Sequence, residues 1–575
     1  MDATIQVKIN KWLEGNYDAS TKTSIKNLID QGKEDELTDC FYKDLEFGTG
    51  GLRGLMGVGS NRMNKYTIGA ATQGLANYLL KTYPNQAISI AVAYDSRNNS
   101  PEFAQIVADV FSANDVKVYF FEALRPTPEL SFAIRHFGCK SGIVLTASHN
   151  PKEYNGYKAY WYDGAQMIAP HDTNTINQVN AITSIDDIKF NGKPSLIQKI
   201  GEEIDELYLN AIKSLSVSPK IIEKQHDLTI VFSSIHGTGI TLVPRVLEKF
   251  GFTNVNIVEE QAEPNGNFPT VVYPNPEEAE ALSLALKKGK EVGAELIMAT
   301  DPDADRVGIA VRDLNNEFIL LNGNQTGALL IDYMLSAWSE NKKLTGKEFI
   351  VKTIVTSELI KEIANSFETA CLDTLTGFKY IAGLIRELEG KMTFIAGGEE
   401  SYGYLVGDFV RDKDAIASCA FIAEMAAYAK DQGFSLYEKL IDIYLKNGFY
   451  KEKLVSLTKK GKSGSEEIQT MMKTLRENPP KELGGSKVIE IRDYLSATST
   501  NLETSQKSDI DLPKENVLQL LTQDGTKISA RPSGTEPKIK FYFSVKENLV
   551  SKAAFESTNK KLDDKIEQIV KELAL

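Results

Sequence analysis

Residues 142–151 read GIVLTASHNP, an apolar run that ends directly in small and polar residues. The apolar run predicts a buried β-strand, and the residues after it predict a loop at the strand's carboxyl end. Parallel sheets bind their ligands at that edge. Ser148 is therefore a candidate nucleophile or phosphoryl carrier, and His149 and Lys158 are the nearby groups that would activate it. Taken alone, SHNP also fits an ordinary turn.

Short apolar runs alternate with helical stretches along most of the chain, which predicts an α/β fold with largely parallel sheets. After about residue 450 the composition changes, and we expect a smaller α+β domain there. Within it the polar stretch 496–508, SATSTNLETSQKS, is predicted to be a loop. Strands are predicted at 88–94, 116–121, 142–146, 228–233, 296–300, 349–355, 393–396 and 540–545, and a closing helix at 551–573.

Length and charge limit the classes of protein and partner. At about 150 residues per domain, the 575 residues predict three to five domains. A net charge of −13 argues against nucleic acid and anionic membranes as partners. The four cysteines lack CxxC spacing, and no leader or long apolar run stands out, so we expect a cytoplasmic protein. The cysteines are Cys40, Cys139, Cys371 and Cys419.

A second polar cluster follows the predicted strand at 296–300 and reads DPDADR, residues 301–306. Its three carboxylates on alternate positions would repel one another unless they shared a cation, and oxygen ligands of this kind suit Mg²⁺. An EF-hand calcium loop would need Gly at its sixth position and Glu at its twelfth, and this segment does not fit. Asp301, Asp303 and Asp305 are therefore candidate metal ligands. A solvated acidic turn is the alternative.

Three further loops have residues suited to bind a sugar phosphate. Residues 397–403, GGEESYG, offer an acceptor and a donor for sugar hydroxyls, and residues 376–379, TGFK, add backbone donors and a cation. Residues 531–537, RPSGTEP, combine an arginine, hydroxyls and glycine-freed amides in the manner of a phosphate cradle. Residues 48–54, GTGGLRG, include Arg53 but match neither a Walker loop nor a dinucleotide-binding fingerprint. Each loop alone also fits a plain turn.

In this order, TASHNP, DPDADR, GEESYG and RPSGTEP give the chain a resemblance to the α-D-phosphohexomutases, and the resemblance runs from about residue 48 to residue 537. It implies four domains around a central cleft, namely three related α/β domains with mixed sheets and a smaller α+β C-terminal domain. The boundaries we expect are 1–215 with a phosphoserine loop, 216–322 with a metal-binding loop, 323–448 with a sugar-binding loop and 449–575 with a phosphate-binding loop.

The resemblance also implies a role for each candidate residue. Ser148 would be the phosphoserine, and Mg²⁺ would be held by the three aspartates together with the phosphoryl group on Ser148. The remaining catalytic positions are His149, Lys158, Arg306 and Arg53. The substrate-binding positions are Thr376, Gly377, Lys379, Glu399, Ser401, Arg531, Ser533, Gly534 and Thr535, and we expect Lys352 to line the same cleft.

The implied reaction is the reversible interconversion of glucose 1-phosphate and glucose 6-phosphate through a phosphoserine enzyme, with glucose 1,6-bisphosphate as intermediate and activator. Pentose phosphates and mannose phosphates are the alternative substrates. A sugar-bisphosphate synthase, a phosphatase and an inactive sugar-phosphate-binding protein are more distant alternatives. The expected partners are small sugar phosphates, without nucleic acid or membrane, and the expected state is a monomer or weak dimer. Whether His149 or Lys158 is the general base stays open at this point.

Overall fold

The computed structural model describes residues 2–48, 50–459, 461–533 and 538–575. These residues form four β-sheets, and successive sheets use successive stretches of the chain. The sheets alternate with helices, which confirms the predicted α/β class with a separate C-terminal sheet domain. The chain divides into two compact units. The first comprises residues 1–321, 385–389 and 402–432, and the second comprises residues 322–384, 390–401 and 433–575.

The first sheet has the strand order β1-β5-β4-β2-β3-β6. Strands β4, β2, β3 and β6 run parallel. At one edge β5 pairs antiparallel with β4, and β1 pairs antiparallel with β5, so the sheet is mixed. The strands are β1 (Gly51–Leu55), β2 (Ser89–Tyr94), β3 (Lys117–Phe121), β4 (Ser141–Leu145), β5 (Tyr154–Trp161) and β6 (Ile197–Ile200). The helices of this region are α4 (Lys65–Thr82), α5 (Ser100–Ala113), α6 (Thr127–Phe137), α7 (His171–Asn180), α8 (Glu202–Ser214) and α9 (Pro219–Lys224).

Strand β2 explains why the predicted strands read as continuous apolar runs. Its Ile90 and Val92 belong to one buried cluster with residues of α4 and α5, and its Ala91 and Ala93 belong to another with residues of α6. Because helices cover both faces of the sheet, successive side chains on opposite faces are all buried.

The second sheet also lies in the first unit and has the order β11-β10-β9-β7-β8. Its strands are β7 (Ile230–Ser233), β8 (Val255–Ile257), β9 (Leu296–Thr300), β10 (Val307–Arg312) and β11 (Phe318–Leu321). The other elements of this part are α10 (Gly239–Phe250), α11 (Ser283–Val292), β15 (Gly403–Val406) and α15 (Ala415–Asp431). Helix α15 is buried along nearly its whole length and packs against α10 and α9.

Three helices precede the first sheet: α1 (Ala3–Glu14), α2 (Ala19–Asp30) and α3 (Glu34–Phe41). Their apolar residues form a cluster of their own with Tyr66 of α4. The Trp12 ring packs edge-on against Tyr66, with ring centroids 5.6 Å apart. These helices thus bury their apolar faces against one another and against the first sheet's helical layer.

In the second unit, strands β13, β12 and β14 lie side by side in that order and run parallel. The strands are β12 (Glu348–Thr353), β13 (Ala370–Thr374) and β14 (Thr393–Glu399). The helices are α12 (Gly323–Glu340), α13 (Leu359–Ser366), α14 (Phe378–Leu388) and α16 (Leu436–Asn447). Strand β14 ends at Glu399, three residues beyond the predicted end, so the strand includes the first two residues of the GEESYG motif.

The C-terminal sheet is antiparallel, with the order β16-β23-β22-β21-β18-β19-β20 and a short strand β17 beside β18. The predicted loop at 496–508 is wrong in part, because β19 and the start of β20 lie there and pair with β18 and with each other. These strands are polar and partly exposed, so no apolar run reveals them. The elements are β16 (Phe449–Thr458), α17 (Gly461–Glu477), β17 (Glu482–Leu483), β18 (Ser486–Asp493), β19 (Thr498–Asn501), β20 (Lys507–Asp509), β21 (Leu518–Thr522), β22 (Lys527–Pro532), β23 (Lys538–Glu547) and α18 (Phe555–Glu572).

In the part of the chain that the structure describes, no helix combines the length and the apolar character needed to cross a membrane.

Candidate active site

Ser148 lies just beyond the carboxyl end of β4, where the sequence predicts it. The residue is 2% exposed and has a left-handed backbone conformation with φ of 50°. Its Oγ donates a hydrogen bond to Asp301 Oδ2 at 2.6 Å and lies 3.1 Å from His149 Nδ1. The structure thus joins the TASHNP loop to the DPDADR loop, although more than 150 residues separate them.

Arg97 holds the Ser148 loop in place, and our sequence analysis did not identify it. Its guanidinium donates to the carbonyls of Ser148 and Asn150, at 2.5 Å each, and to those of Pro151 at 2.8 Å and Tyr154 at 3.1 Å. The side chain is fully buried, and its Nε lies 3.4 Å from Asp95 Oδ2. The sequence signal was the polar stretch Asp95-Ser96-Arg97 directly after the predicted strand at 88–94. This stretch follows its strand in the same way that the Ser148 loop follows β4.

The three aspartates of DPDADR form a buried cluster in which one oxygen of each lies within 4.8 Å of the others. Asp303 Oδ1 and Asp305 Oδ1 are buried and accept no hydrogen bond from any residue that the structure describes. Burial and the charges of Asp303 and Asp305 raise the pKa of Asp301 well above its ordinary value. Buried carboxylate oxygens without donors, on carboxylates that repel one another, fit a divalent cation with oxygen ligands.

Two lysines border the aspartate cluster. Lys158 Nζ lies 2.7 Å from Asp303 Oδ2 and 3.1 Å from Asp305 Oδ2. Burial alone would lower the pKa of Lys158, but the two carboxylates outweigh burial and raise it. Lys413 Nζ lies 3.2 Å from Asp305 Oδ2 and 2.9 Å from Asp412 Oδ1. Sequence analysis missed Lys413, for which the only signal was the charged run RDKD, residues 411–414, after an apolar segment.

The remaining predicted catalytic groups lie around Ser148. Arg53 Nη1 donates to Asn150 Oδ1 at 3.0 Å, and Arg306 Nη1 donates to Glu277 Oε1 at 3.0 Å. Burial, together with the positive charges of Arg306 and Arg53, lowers the pKa of His149 well below its ordinary value. All five predicted catalytic residues and the three aspartates therefore belong to one unit of the structure.

The predicted sugar-binding residues belong to the other unit. Glu399 is buried at the end of β14, and its Oε1 accepts a hydrogen bond from the Gly377 amide at 2.8 Å. Thr376 Oγ1 is buried without a hydrogen-bond partner in the described part of the chain. Lys379 and Ser401 are half-buried. The structure therefore brings the TGFK and GEESYG loops together, which the sequence could only suggest.

The predicted phosphate loop is described in part. Arg531 lies at the end of β22, and its Nε donates to Glu515 Oε1 at 3.1 Å. The Ser533 amide donates a hydrogen bond to the Lys538 carbonyl at 2.7 Å. Gly534 and Thr535 lie outside the described residues.

Lys352 corrects one expectation. It does not line a cleft, because its side chain is completely buried between Glu358 Oε1 at 3.0 Å and Asp373 Oδ1 at 2.8 Å. It lies in the interior strand β12, so a side chain that looked available in the sequence is enclosed by the neighbouring elements.

Comparisons with known proteins agree with this arrangement. Three descriptions from one family, phosphoglucomutase/phosphomannomutase alpha/beta/alpha domains I, II and III, match residues 44–186, 206–315 and 322–444. A phosphoglucomutase from Staphylococcus haemolyticus is 38% identical over 95% of this chain and 96% of its own length. One from Staphylococcus aureus MRSA252 is 39% identical over 91% of this chain and 93% of its own length.

Among solved structures, pp63/parafusin (phosphoglucomutase) from Paramecium has a similar fold, with a TM-score of 0.68 and 20% identity over 92% of this chain and 96% of that chain. The bacterial relatives match almost from end to end, and the three domain matches follow the order of the chain. The chain therefore belongs to the phosphoglucomutase/phosphomannomutase family.

Proposed function

We propose that this chain is a phosphoglucomutase, which interconverts glucose 1-phosphate and glucose 6-phosphate through a phosphoserine at Ser148 and a glucose 1,6-bisphosphate intermediate. The observation that carries the proposal is the position of Ser148 Oγ, 2.6 Å from Asp301 in a buried cluster of three aspartates. The relatives named phosphoglucomutase support glucose as the sugar.

Mg²⁺ would be held by Asp301, Asp303 and Asp305 together with an oxygen of the phosphoryl group on Ser148. When bound, it would neutralise negative charge on the phosphoryl oxygens. The chain's own cations do the same work from other directions: Arg306 and Arg53 hold positive charge near Ser148. Transfer of a phosphoryl group is mainly a matter of position and charge, so the fixed loop around Ser148 is itself part of the chemistry.

The geometry of the site also gives His149 and Lys158 different roles in the reaction. His149 Nδ1 lies 3.1 Å from Ser148 Oγ. In each phosphoryl transfer His149 would take the proton of the attacking hydroxyl and give a proton to the departing oxygen. The ammonium group of Lys158 instead donates to Asp303 and Asp305. We assign Lys158 to charge and position, and His149 to the proton, within this proposal.

In the second unit, two groups of residues recognise the substrate. Those that bind the sugar hydroxyls are Glu399, Ser401, Thr376, Gly377 and Lys379, and those that bind the phosphate that does not react are Arg531, Ser533, Gly534 and Thr535. A bisphosphate that must react at either end needs a fixed site for its other phosphate. Glu399 supports this reading, because its buried carboxylate lies against the Gly377 amide of the TGFK loop and provides acceptor oxygens of the kind that bind hydroxyl groups.

The proposal includes four domains at 1–215, 216–322, 323–448 and 449–575, a cytoplasmic location and a monomer or weak dimer. Four sheets along the chain and the family matches at 44–186, 206–315 and 322–444 support the division. Four cysteines without a disulfide partner support the location.

The test is Mg²⁺-dependent conversion of glucose 1-phosphate, with and without added glucose 1,6-bisphosphate. Ser148→Ala is compared with the native chain and with Ser557→Ala, a control at an exposed serine. We expect the bisphosphate to raise native activity, Ser148→Ala to abolish it and Ser557→Ala to retain it. Full activity in Ser148→Ala would overturn the mechanism. Turnover of ribose 1-phosphate or mannose 1-phosphate alone would overturn the substrate, and net release of inorganic phosphate would indicate a phosphatase.

A further inference from the structure

The loop after strand β12, residues 354–358, is held by side chains of the C-terminal sheet. Gln519 Nε2 and Lys527 Nζ both donate to the Ile354 carbonyl, at 2.8 Å and 2.9 Å. Lys527 Nζ also lies 3.4 Å from the Thr356 carbonyl. All these residues belong to the second unit, and apolar contacts of Ile354 and Val355 with the same sheet surround the bonds.

Charge strengthens this attachment. Glu358 Oε1 lies 2.5 Å from Lys527 Nζ and 3.0 Å from Lys352 Nζ, so one carboxylate pairs with two buried cations. Lys527 is only 5% exposed. Loss of one member of such a cluster leaves an uncompensated charge in the interior, so the cluster holds the loop in a single position.

The same loop and the last residue of β12 hold Glu400, which directly follows strand β14. Thr356 Oγ1 and Thr353 Oγ1 donate to Glu400 Oε2 at 3.0 Å and 3.3 Å. Glu400 is the neighbour of Glu399, the proposed reader of the sugar hydroxyls. A displacement of residues 354–358 would therefore displace the backbone that carries Glu399.

At the other end of this chain of contacts is strand β22. Lys527, Ser529 and Arg531 alternate along the strand and so share one face of the sheet. Ser529 Oγ accepts from Gln519 Nε2 at 2.9 Å, which ties the same face to the loop. Arg531, the proposed phosphate ligand, thus extends from the same strand as Lys527, which binds residues 354–358.

We propose that Lys527 is a positioning residue that couples the phosphate-binding strand β22 to the sugar-reading Glu399, through Glu358 and the loop 354–358. The inference rests on the proposed function, since it assigns to Lys527 the alignment of that function's two substrate-binding groups. Lys527 itself touches no substrate. Its role is to keep the distance between the phosphate site and the hydroxyl reader constant, so that one sugar fits better than its epimers.

The experiment compares the native chain with Lys527→Met and Thr356→Val, and with Lys453→Met as a control at an exposed lysine of strand β16. The readout is the ratio of kcat/KM for glucose 1-phosphate to that for mannose 1-phosphate, with thermal unfolding recorded for each variant. We expect Lys527→Met and Thr356→Val each to lower the ratio about 10-fold, because a misplacement of about 1 Å lowers a rate by up to about 100-fold and both sugars share part of that loss. Lys453→Met should keep the native ratio.

A double-mutant cycle separates coupling from general damage. If both residues act through one path, Lys527→Met combined with Thr356→Val will lower the ratio no further than either change alone. Multiplied effects, or an unchanged ratio in folded and active variants, would overturn the inference. If Lys527→Met does not fold, Gln519→Leu takes its place, because it removes a donor to Ile354 without burying a lone charge. If the native chain does not turn over glucose 1-phosphate, the proposed function is wrong. This result is distinct from a failure of the inference about Lys527, because it needs no variant.

Discussion

At the scale of single residues, Arg97 helps to hold the Ser148 loop in place although it lies far from Ser148 in sequence. Its guanidinium binds four carbonyls of residues 148–154 and pairs with Asp95 in the interior. Carbonyls of a buried loop need donors from the protein, because water does not reach them and the loop forms no regular backbone hydrogen bonds. The left-handed conformation of Ser148 is one that this clamp maintains.

We predict that Arg97→Met lowers the free energy of unfolding by about 3–5 kcal/mol, because it leaves Asp95 buried without its cation. The rate of Ser148 phosphorylation should fall by about 100-fold, because the Ser148 loop loses its fixed geometry. Denaturant unfolding and transfer of labelled phosphate from glucose 1,6-bisphosphate to Ser148 measure the two effects.

Arg312→Met is the matched control. Arg312 also donates to two carbonyls, those of Ala294 and Asn316, but it lies away from Ser148. The Arg312→Met variant should be less stable than the native chain but should keep the native rate of serine phosphorylation. An equal loss of that rate in both variants would show that Arg97 has no special role at the site.

At the scale of secondary-structure elements, helix α15 begins with a buried carboxylate. Asp414 Oδ1 accepts hydrogen bonds from the Ala417 amide and from the Tyr208 hydroxyl, each at 2.8 Å. Burial raises the pKa of Asp414 from 3.8 to about 6. The helix therefore has a good N-terminal cap whose charged form is disfavoured in the folded state.

The sign of the pH dependence follows from this shift. Between pH 4 and 6 the folded chain holds a proton on Asp414 that the unfolded chain has released, so the contribution of Asp414 to stability falls as the pH rises. The difference amounts to at most about 3 kcal/mol above pH 6. We predict that Asp414→Asn, which keeps the cap and the bond to Tyr208, matches the native chain at pH 4 and exceeds its stability at pH 7.5.

Urea unfolding of both proteins across this range measures the effect, since groups common to both cancel in the difference. Asp414→Ala should be less stable than Asp414→Asn by about 1 kcal/mol at every pH, because it loses the cap. Parallel curves for the native chain and Asp414→Asn would contradict the assigned pKa.

Elements differed in how far the sequence could predict them. Strand β9 has the predicted bounds, 296–300, because an apolar run covered on both faces is visible without any tertiary information. Strands β19 and β20 escaped prediction because Ser, Thr and Asn at a polar edge pair through their backbones, and backbone pairing leaves little trace in composition. The same limit applies to Arg97 and Lys413, whose roles depend on partners far away in sequence.

At the scale of the whole molecule, the two units each contain a different part of the proposed chemistry. The first contains Ser148 and the aspartate cluster, and the second contains Glu399 and Arg531. The motifs predicted these groups because each is local, with its residues on one loop after one strand. The motifs could not predict the contacts that hold the loops, such as Lys527 to residues 354–358, because those contacts join separate sheets.

The aspartate cluster leads us to expect that the stability of the first unit depends on metal. Without a cation, three buried carboxylates repel one another, and the pKa of Asp301 is raised first by burial and then by that repulsion. A ligand that binds only the folded state raises the free energy of unfolding by about 2.7 kcal/mol at 100 times its dissociation constant. We therefore predict that Mg²⁺ raises the unfolding midpoint and that a chelator reverses the rise. Hydrogen exchange should slow at residues 296–312 and stay unchanged across the C-terminal sheet.

Asp301→Asn makes this prediction specific, because the amide is neutral and can still bond Ser148 and the amides of Asp305 and Arg306. The metal-free variant should be more stable than the metal-free native chain, since one repelling charge is gone, yet it should lose the response to Mg²⁺. Asp524→Asn serves as the control. Asp524 lies in a turn of the C-terminal sheet and pairs with Lys565 of α18, so its substitution should leave the Mg²⁺ response intact. A native chain indifferent to Mg²⁺, or a full response in Asp301→Asn, would mean that the cluster is balanced by its lysines alone.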